Sequence, residues 1–181
     1  MNVCVFCGSS SGNRPAYAEA ATELGEVLGR NGHTLIYGGG NVGLMGIVAD
    51  SALHAGGQVV GIIPEFLLKR EVGHRGLTRL EVVQSMHERK KRMADLAEGF
   101  IAMPGGWGTL EELAEILTWK QLGIIDHSIG LLNTNRFFDA LLEQMRLMAS
   151  DGFLHASNLD KLLVHAEPEK LVASIIPQYG L

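Results

Sequence analysis

Short apolar runs alternate with longer amphipathic stretches along the chain. The apolar runs predict strands over Val3–Cys7, Thr34–Tyr37, Gln58–Ile63, Leu80–Val83, Phe100–Met103, Ser128–Leu132 and Lys161–His165. The amphipathic stretches predict helices over Pro15–Arg30, Leu44–Ala55, Met86–Glu98, Leu110–Leu122, Arg136–Ala149 and Pro168–Ile176. Because strands and helices alternate, the pattern predicts an α/β fold, with a doubly wound parallel sheet and helices on both of its faces.

The predicted strands are apolar at nearly every position rather than at alternate positions. Such strands are typical of a parallel sheet that is buried on both faces. The segment from 64 to 78 is irregular and charged, but no linker or internal repeat divides the 181 residues. We therefore predict a single domain over residues 1–181.

Composition and charge narrow the class of protein. The net charge of -5 argues against a general nucleic-acid binder, because such proteins usually present a basic face. No apolar run approaches the roughly 20 residues that a membrane span needs, and no signal peptide precedes the first strand. We expect a soluble cytoplasmic protein that acts on a small molecule and contacts neither a membrane nor nucleic acid.

Cys4 and Cys7 form a C-x-x-C pair inside the first predicted strand. Residues three apart on a strand point to opposite faces, so we expect two buried thiols that do not meet. No second cysteine pair and no recognisable histidine spacing completes a metal site. The sequence therefore predicts neither a bound metal nor a cofactor.

Three glycine-rich loops follow predicted strands, at Gly8–Gly12, Gly38–Gly46 and Pro104–Gly108. The carboxyl ends of parallel strands share one edge of the sheet, which is where such folds bind ligands. Glycine lets the backbone approach a ligand closely, so the loops together predict a nucleotide-sized pocket. Loop residues expected at this pocket include Gly8, Ser9, Gly39 and Gly40.

The third loop joins a predicted buried strand to a helix that is predicted to begin at Leu110. Backbone N–H groups and the positive end of the helix dipole suit this loop to bind a phosphate. Glu112 then places a carboxylate one turn into the helix. An alternative role for Glu112 is a capping box with Thr109, a pattern that Ser85 and Glu88 repeat at the preceding helix.

Two cations, Arg89 and Lys90, lie near the start of the predicted helix Met86–Glu98. Met86 and Met93 mark the buried face of this helix, and both cations flank that face. The planar guanidinium of Arg89 can bind a phosphate or a ribose oxygen through two hydrogen bonds. We therefore favour a functional role for Arg89.

The second glycine loop also matches the dinucleotide-binding pattern. Gly38, Gly40 and Gly43 have G-x-G-x-x-G spacing, and Glu65 follows at about the distance of the usual acidic residue. However, the pattern lies on the second strand–helix unit, and no second domain is predicted that could carry a reducible substrate. An NAD-linked enzyme stays an alternative.

The motif Met86-x-x-Arg89-Lys90, followed by Pro104-Gly105-Gly106-x-Gly108-Thr109-x-x-Glu112, resembles the LONELY GUY (LOG) phosphoribohydrolases. This family was formerly labelled lysine decarboxylase. The resemblance extends over nearly the whole chain and implies a Rossmann-like homodimer. It implies hydrolysis of the N-glycosidic bond of N6-modified adenosine 5'-monophosphates, with AMP as a further substrate of bacterial-type relatives.

The resemblance also assigns residues. It implies that Arg89 and Glu112 are the catalytic pair. The substrate contacts that it implies are Glu71, Arg89, Lys90, Gly105, Gly106, Trp107, Gly108, Thr109, Leu110, Glu111, Glu112 and Thr118. A decarboxylase would need a lysine bound to pyridoxal phosphate and a partner for the ring nitrogen, and no residue indicates either.

Two further alternatives stay open. A non-catalytic nucleotide-binding or carrier protein could use the glycine loops without Arg89 and Glu112, because a fold does not fix a function. The apolar side chains Ile116 and Trp119 exceed what one helix face needs, so they belong either to a dimer contact or to ordinary core.

Overall fold

A computed structural model describes residues 1–68 and 72–176. Within these ranges the strands are β1 Asn2–Phe6, β2 Thr34–Tyr37, β3 Gln58–Pro64, β4 Arg79–Val83, β5 Gly99–Ala102, β6 Ser128–Leu132 and β7 Leu162–His165. The helices are α1 Pro15–Arg30, α2 Gly43–His54, α3 Met86–Leu96, α4 Trp107–Gln121, α5 Asp139–Ser150, α6 Ala156–Leu159 and α7 Pro168–Ile175. Short 3-10 turns, Glu65–Leu67 and Thr134–Arg136, follow β3 and β6. All predicted strands are confirmed, each within one residue of its predicted ends.

The strands form one parallel sheet in the order β4-β3-β2-β1-β5-β6-β7. The direction of winding reverses between β1 and β5, which pair side by side at the centre of the sheet. In doubly wound sheets this reversal opens a crevice at the carboxyl edge, because the connections from the two central strands run to opposite faces. The predicted Rossmann-like fold is confirmed, and its crevice lies after β1 and β5.

Helices cover both faces of the sheet. One apolar cluster joins the sheet to α1, α2 and α7, and the other joins it to α3, α4 and α5. Cys4 belongs to the second cluster and Cys7 to the first, and both are free and buried. The prediction of two buried thiols that do not meet is therefore confirmed.

The predicted start of the fifth helix, at Arg136, is wrong. Asn135 and Arg136 have φ values of 51° and 60°, which an α-helix does not allow, so α5 begins only at Asp139. The side-chain oxygen of Asn133 accepts a hydrogen bond from the N–H of Phe138 (2.7 Å) and fixes this turn. The one-turn helix α6 has too short a pattern to be predicted.

Candidate active site

A pocket of about 180 Å³ opens at the carboxyl edge of the sheet, where β1 and β5 end. The N–H of Gly8 donates to the carbonyl of Pro104 (3.1 Å) and joins the loops that follow the two strands. The predicted site residues in its wall are Gly8, Ser9, Arg89, Gly106, Trp107, Gly108, Thr109, Glu111 and Glu112. The structure therefore brings both candidate catalytic residues into one cavity with residues of all three glycine loops.

The rest of the wall was not predicted from the sequence. It consists of Val5, Phe6, Cys7, Gly38, Met45, Met86 and Met93. Most of these residues carry the signal of ordinary core, namely apolar side chains at strand ends and on buried helix faces. Gly38 brings the second glycine loop to the pocket, although the residues predicted there were Gly39 and Gly40.

Helix α4 begins earlier than predicted, at Trp107, with Gly106 as its N-cap residue. Glycine has no side chain that could accept a hydrogen bond from the first-turn N–H groups. Thr109 lies inside the first turn, so the alternative role of Glu112, in a capping box with Thr109 as the N-cap residue, is wrong. The helix start therefore offers main-chain donors to an anion in the pocket.

The corresponding prediction for α3 is confirmed. The hydroxyl of Ser85 accepts a hydrogen bond from the N–H of Glu88 (3.1 Å), and the Glu88 carboxylate accepts one from the N–H of Gln84 (2.8 Å). This cap fixes the entry to α3 one turn before Arg89. The helix start therefore gives Arg89 a rigid support.

Neighbouring glycines of the Pro104 loop have different reasons to lack a side chain. A Cβ atom at Gly105 would lie 2.1 Å from the hydroxyl oxygen of buried Thr109, so packing of the protein excludes it. At Gly106 and Gly108 a Cβ atom would meet nothing within 4 Å. Since both residues line the pocket, the space beside them is available to a ligand rather than required by the fold.

Arg89 is a buried charge, with 6% of its surface exposed. Its Nε donates to the carbonyl of Ile62 (3.1 Å) and its Nη2 to the carbonyl of Gly38 (2.8 Å). A Cβ atom at Gly38 would lie 2.0 Å from that Nη2 atom, so the approach requires glycine. These contacts hold the guanidinium plane in one orientation at the pocket wall.

Glu112 is half-buried on α4 and lines the same pocket as Arg89. Burial raises the pKa of the Cys7 thiol, the negative charge of Glu112 raises it further, and the positive charge of Arg89 opposes them. Cys7 therefore experiences both charges at the base of the pocket. Its thiol is held in the neutral form, which excludes it as a nucleophile at neutral pH.

Lys90 lies away from the pocket wall. Its ammonium group donates to the carboxylates of Glu111 and Glu115 on α4, the second at 3.3 Å. The hydrogen bond to Glu111 raises the pKa of Lys90. The structure thus shows Lys90 as a bridge from α3 to α4, while its predicted contact with substrate stays a prediction.

Five further predicted contacts lie outside the pocket wall. Leu110 and Thr118 line a separate groove between α4 and α5, and Gly39, Gly40 and Gly105 are not among the residues that line the pocket. Glu71 lies outside the described residues.

The start of α2 differs from that of α4. The N–H of Leu44 donates to the carbonyl of Gly8 (3.0 Å). A Cβ atom at Gly43 would lie 2.3 Å from the backbone of Ser9 and Ser10. The protein's own first loop therefore occupies the place where a dinucleotide-binding pattern would hold a pyrophosphate, which argues against the NAD alternative.

Residues 1–68 and 72–176 offer neither a metal site nor a membrane-spanning helix. No three His, Cys, Asp or Glu side chains of these ranges are grouped so that they could hold a metal ion. None of the helices described there is long and apolar enough to cross a membrane.

The fold and the pocket define a Rossmann-like α/β protein in which a helix start with a glycine N-cap lies beside a buried arginine and a carboxylate. The family model described as "Possible lysine decarboxylase" matches residues 45–175. The chain is 42% identical over 177 residues to the cytokinin riboside 5'-monophosphate phosphoribohydrolase LOG of Oryza sativa subsp. japonica. This match covers 98% of this chain and 73% of the relative. It is 43% identical over 177 residues to LOG7 of Arabidopsis thaliana, covering 98% and 81% of the two chains. The chain belongs to the LOG family.

Solved structures with the same fold are more distant in sequence. The molybdenum cofactor carrier protein from Chlamydomonas reinhardtii is 21% identical, with a TM-score of 0.72 over 96% of this chain and 94% of that chain. The molybdenum cofactor binding protein from Rippkaea orientalis is 23% identical, with a TM-score of 0.70 over 96% of each chain. Identities this low establish the shared fold alone.

Proposed function

We propose that this protein hydrolyses the N-glycosidic bond of N6-modified adenosine 5'-monophosphates, or of AMP, to the free base and ribose 5-phosphate. One observation carries the proposal, namely that Arg89 and Glu112 line a single pocket at the start of α4. The rice and Arabidopsis relatives are named for this reaction and support it.

Glu112 acts at the sugar in this mechanism. Water adds to C1' while the bond from C1' to the purine nitrogen breaks, and the purine keeps the electron pair and takes up a proton. Positive charge develops on the ribose during this step, much as in glycoside hydrolysis. The carboxylate of Glu112 stabilises that charge and orients the water, and the fixed guanidinium of Arg89 keeps the carboxylate ionised and orients the sugar.

The 5'-phosphate binds at the start of α4. The first-turn N–H groups there have no side-chain cap, and Gly106 and Gly108 leave open space beside them. Binding energy from this non-reacting group positions the glycosidic bond against Glu112. The phosphate therefore contributes to the rate as well as to the affinity.

The Glu112→Gln variant tests the proposal. We expect it to fold normally and to release adenine from AMP, or base from N6-isopentenyl-AMP, about 10²–10⁴-fold more slowly, because an amide cannot act as a base. The matched control is Glu143→Gln on α5, whose exposed side chain lies outside the pocket wall and which should keep the wild-type rate. Chromatography of the released base and a thermal unfolding curve provide the two measurements.

Two results would contradict the hydrolase. Wild-type protein that binds AMP tightly without releasing base would instead support the carrier. Near-normal turnover by Glu112→Gln would remove the carboxylate from the mechanism.

Adenosine should be a much poorer substrate than AMP. It lacks the phosphate that the helix start would bind, so we expect kcat/KM to fall at least about 10²-fold. Initial rates of adenine release from the two compounds measure this directly. Equal rates would show that the phosphate site is wrongly placed.

We further propose that the protein acts as a homodimer in the cytoplasm, without nucleic-acid partners. Nucleoside monophosphates are available in that compartment, and the free thiols of Cys4 and Cys7 are stable there. The groove between α4 and α5 supports the dimer, because mostly apolar side chains line it and Met148 is 42% exposed at its edge.

A further inference from the structure

A hydrogen bond between a buried histidine and an exposed carboxylate lies near the second glycine loop, outside the pocket wall. His74 is 6% exposed, and its Nε2 lies 2.9 Å from Oδ1 of Asp50 on α2. The N–H of Gly76 donates to Nδ1 of the same ring (3.1 Å). Since Nδ1 accepts, the proton of the neutral ring is on Nε2, which donates to the carboxylate. Both ring nitrogens are therefore engaged.

The main chain around His74 is attached to the glycine loop. The N–H of His74 donates to the carbonyl of Gly39 (3.0 Å), and the N–H of Asn41 donates to the carbonyl of Val72 (3.0 Å). An isolated antiparallel bridge between Gly40 and Gly73 connects the same two segments. The segment from 72 to 76 thus supports the loop through main-chain hydrogen bonds.

The same loop also holds the candidate catalytic arginine. The carbonyl of Gly38, one residue before Gly39, accepts the hydrogen bond from Nη2 of Arg89 (2.8 Å). A rotation of the peptide between Gly38 and Gly39 would move this acceptor. Because a small displacement of a catalytic group has a large effect on rate, the support of the loop matters for the chemistry.

We infer that His74, anchored by Asp50, is a positioning residue that fixes the Gly38 carbonyl and through it the Arg89 guanidinium. The inference rests on the proposed function, because it assumes that Arg89 takes part in the reaction. His74 itself does not touch the substrate. It connects α2 to the pocket through a chain of hydrogen bonds from Asp50 to Arg89.

Two variants test the inference from opposite ends of the hydrogen bond between His74 and Asp50. His74→Gln keeps an N–H donor toward Asp50 and removes the acceptor at Nδ1. Asp50→Ala changes a side chain that is 53% exposed, so it tests the same anchor without disturbing the core. The matched control is His54→Gln, at the exposed end of the same helix α2.

We expect both variants to lower kcat for AMP by about 10- to 100-fold while KM changes by less than about threefold. If His74 acts through Arg89, the effects are not additive. Introduced into Arg89→Lys, which cannot form the same fork of hydrogen bonds, His74→Gln should change the residual rate by less than about twofold. An unchanged kcat in folded variants, or a full additional loss in Arg89→Lys, would overturn the inference.

A measurement without substrate separates this inference from the proposed function. The buried Nε–H of Arg89 donates to Ile62 and should give a slowly exchanging NMR signal that Arg89→Lys lacks. We expect this signal to exchange faster in His74→Gln and Asp50→Ala but not in His54→Gln. Unchanged exchange would refute the link to Arg89 even if the wild type hydrolyses AMP. Absence of hydrolysis by the wild type would refute the proposed function alone.

Discussion

At the scale of single residues, the pocket depends on how one buried cation is accommodated. A buried guanidinium is stable only when its hydrogen-bond donors find partners, and Arg89 uses the carbonyls of Ile62 and Gly38 among its contacts. The absence of a side chain at Gly38 makes the second of these contacts geometrically feasible. Gly38 of the second loop therefore makes room for the guanidinium group of Arg89.

Cys7 should be unreactive although it lines the pocket. Burial and the charge of Glu112 raise the pKa of its thiol, so almost no thiolate forms at pH 8. We expect iodoacetamide to leave Cys7 unmodified in the native protein and to label both cysteines after unfolding in urea. Mass spectrometry of the digested protein gives the result. Rapid native labelling of Cys7 would show that the thiol is exposed and ionised.

At the scale of elements, α4 combines three tasks along one helix. Its start provides main-chain donors, its second turn carries Glu112 into the pocket, and Glu111 and Glu115 hold Lys90 on α3. The ion pairs to Lys90 fix α4 relative to α3. The distance between the carboxylate and Arg89 is therefore set by the packing of two helices rather than by a flexible loop.

Gly108→Ala should separate stability from binding. Gly108 has an ordinary negative φ within α4, and a Cβ atom there would meet no protein atom within 4 Å. The variant should therefore gain about 0.4–1 kcal/mol of unfolding free energy, because alanine restricts the unfolded chain. The methyl group would enter the proposed phosphate site and raise KM for AMP about tenfold or more, a loss of about 1.4 kcal/mol.

Urea unfolding and initial-rate kinetics check the two halves of this prediction. Gly32→Ala, in the turn after α1, serves as the contrasting case. Gly32 also has open space but a φ of +68°, so alanine there should destabilise the protein and leave KM unchanged. An unaltered KM in Gly108→Ala would mean that the ligand does not approach this residue.

At the scale of the whole molecule, a second concave surface lies beside the active site. This groove, of about 340 Å³, runs between α4, α5, α6 and β7, and includes Leu110, Leu117, Met145 and Met148 in its wall. Because α4 contributes to both surfaces, a second copy seated in the groove would lie next to the pocket. Leu110 and Thr118, predicted as substrate contacts, line this groove.

Met148→Lys should weaken the proposed homodimer. The side chain is 42% exposed, so the isolated fold tolerates a lysine, while a charge buried at an apolar contact is unfavourable. Sedimentation velocity at micromolar concentration should show a dimer for the wild type and a shift toward monomer for the variant. Glu143→Lys on the same helix lies outside the groove and should stay dimeric. A wild-type monomer would contradict the proposal.

Much of the fold could be predicted because its signals are local. The apolar runs of β1 and β5 and the cap of Ser85 are visible within a few residues of sequence. The start of α4 could not be predicted, since Trp107 and Gly108 have weak helix signals and only tertiary packing makes them helical. The same holds for α5, where side-chain contacts of Asn133 decide the turn.

Periodicity and glycine spacing in the sequence were enough to predict a parallel α/β sheet with three loops at one edge, and the family resemblance implied Arg89 and Glu112 as the candidate pair. Only the tertiary structure decided that Gly38 receives the guanidinium, that Lys90 turns toward α4, and that Ser9 and Ser10 fill the space above α2. The physical reason is the difference in sequence separation between the residues that interact. A helix or strand follows from neighbours a few residues away, whereas the partner of a buried polar group depends on crossover connections that bring distant segments to the same edge of the sheet.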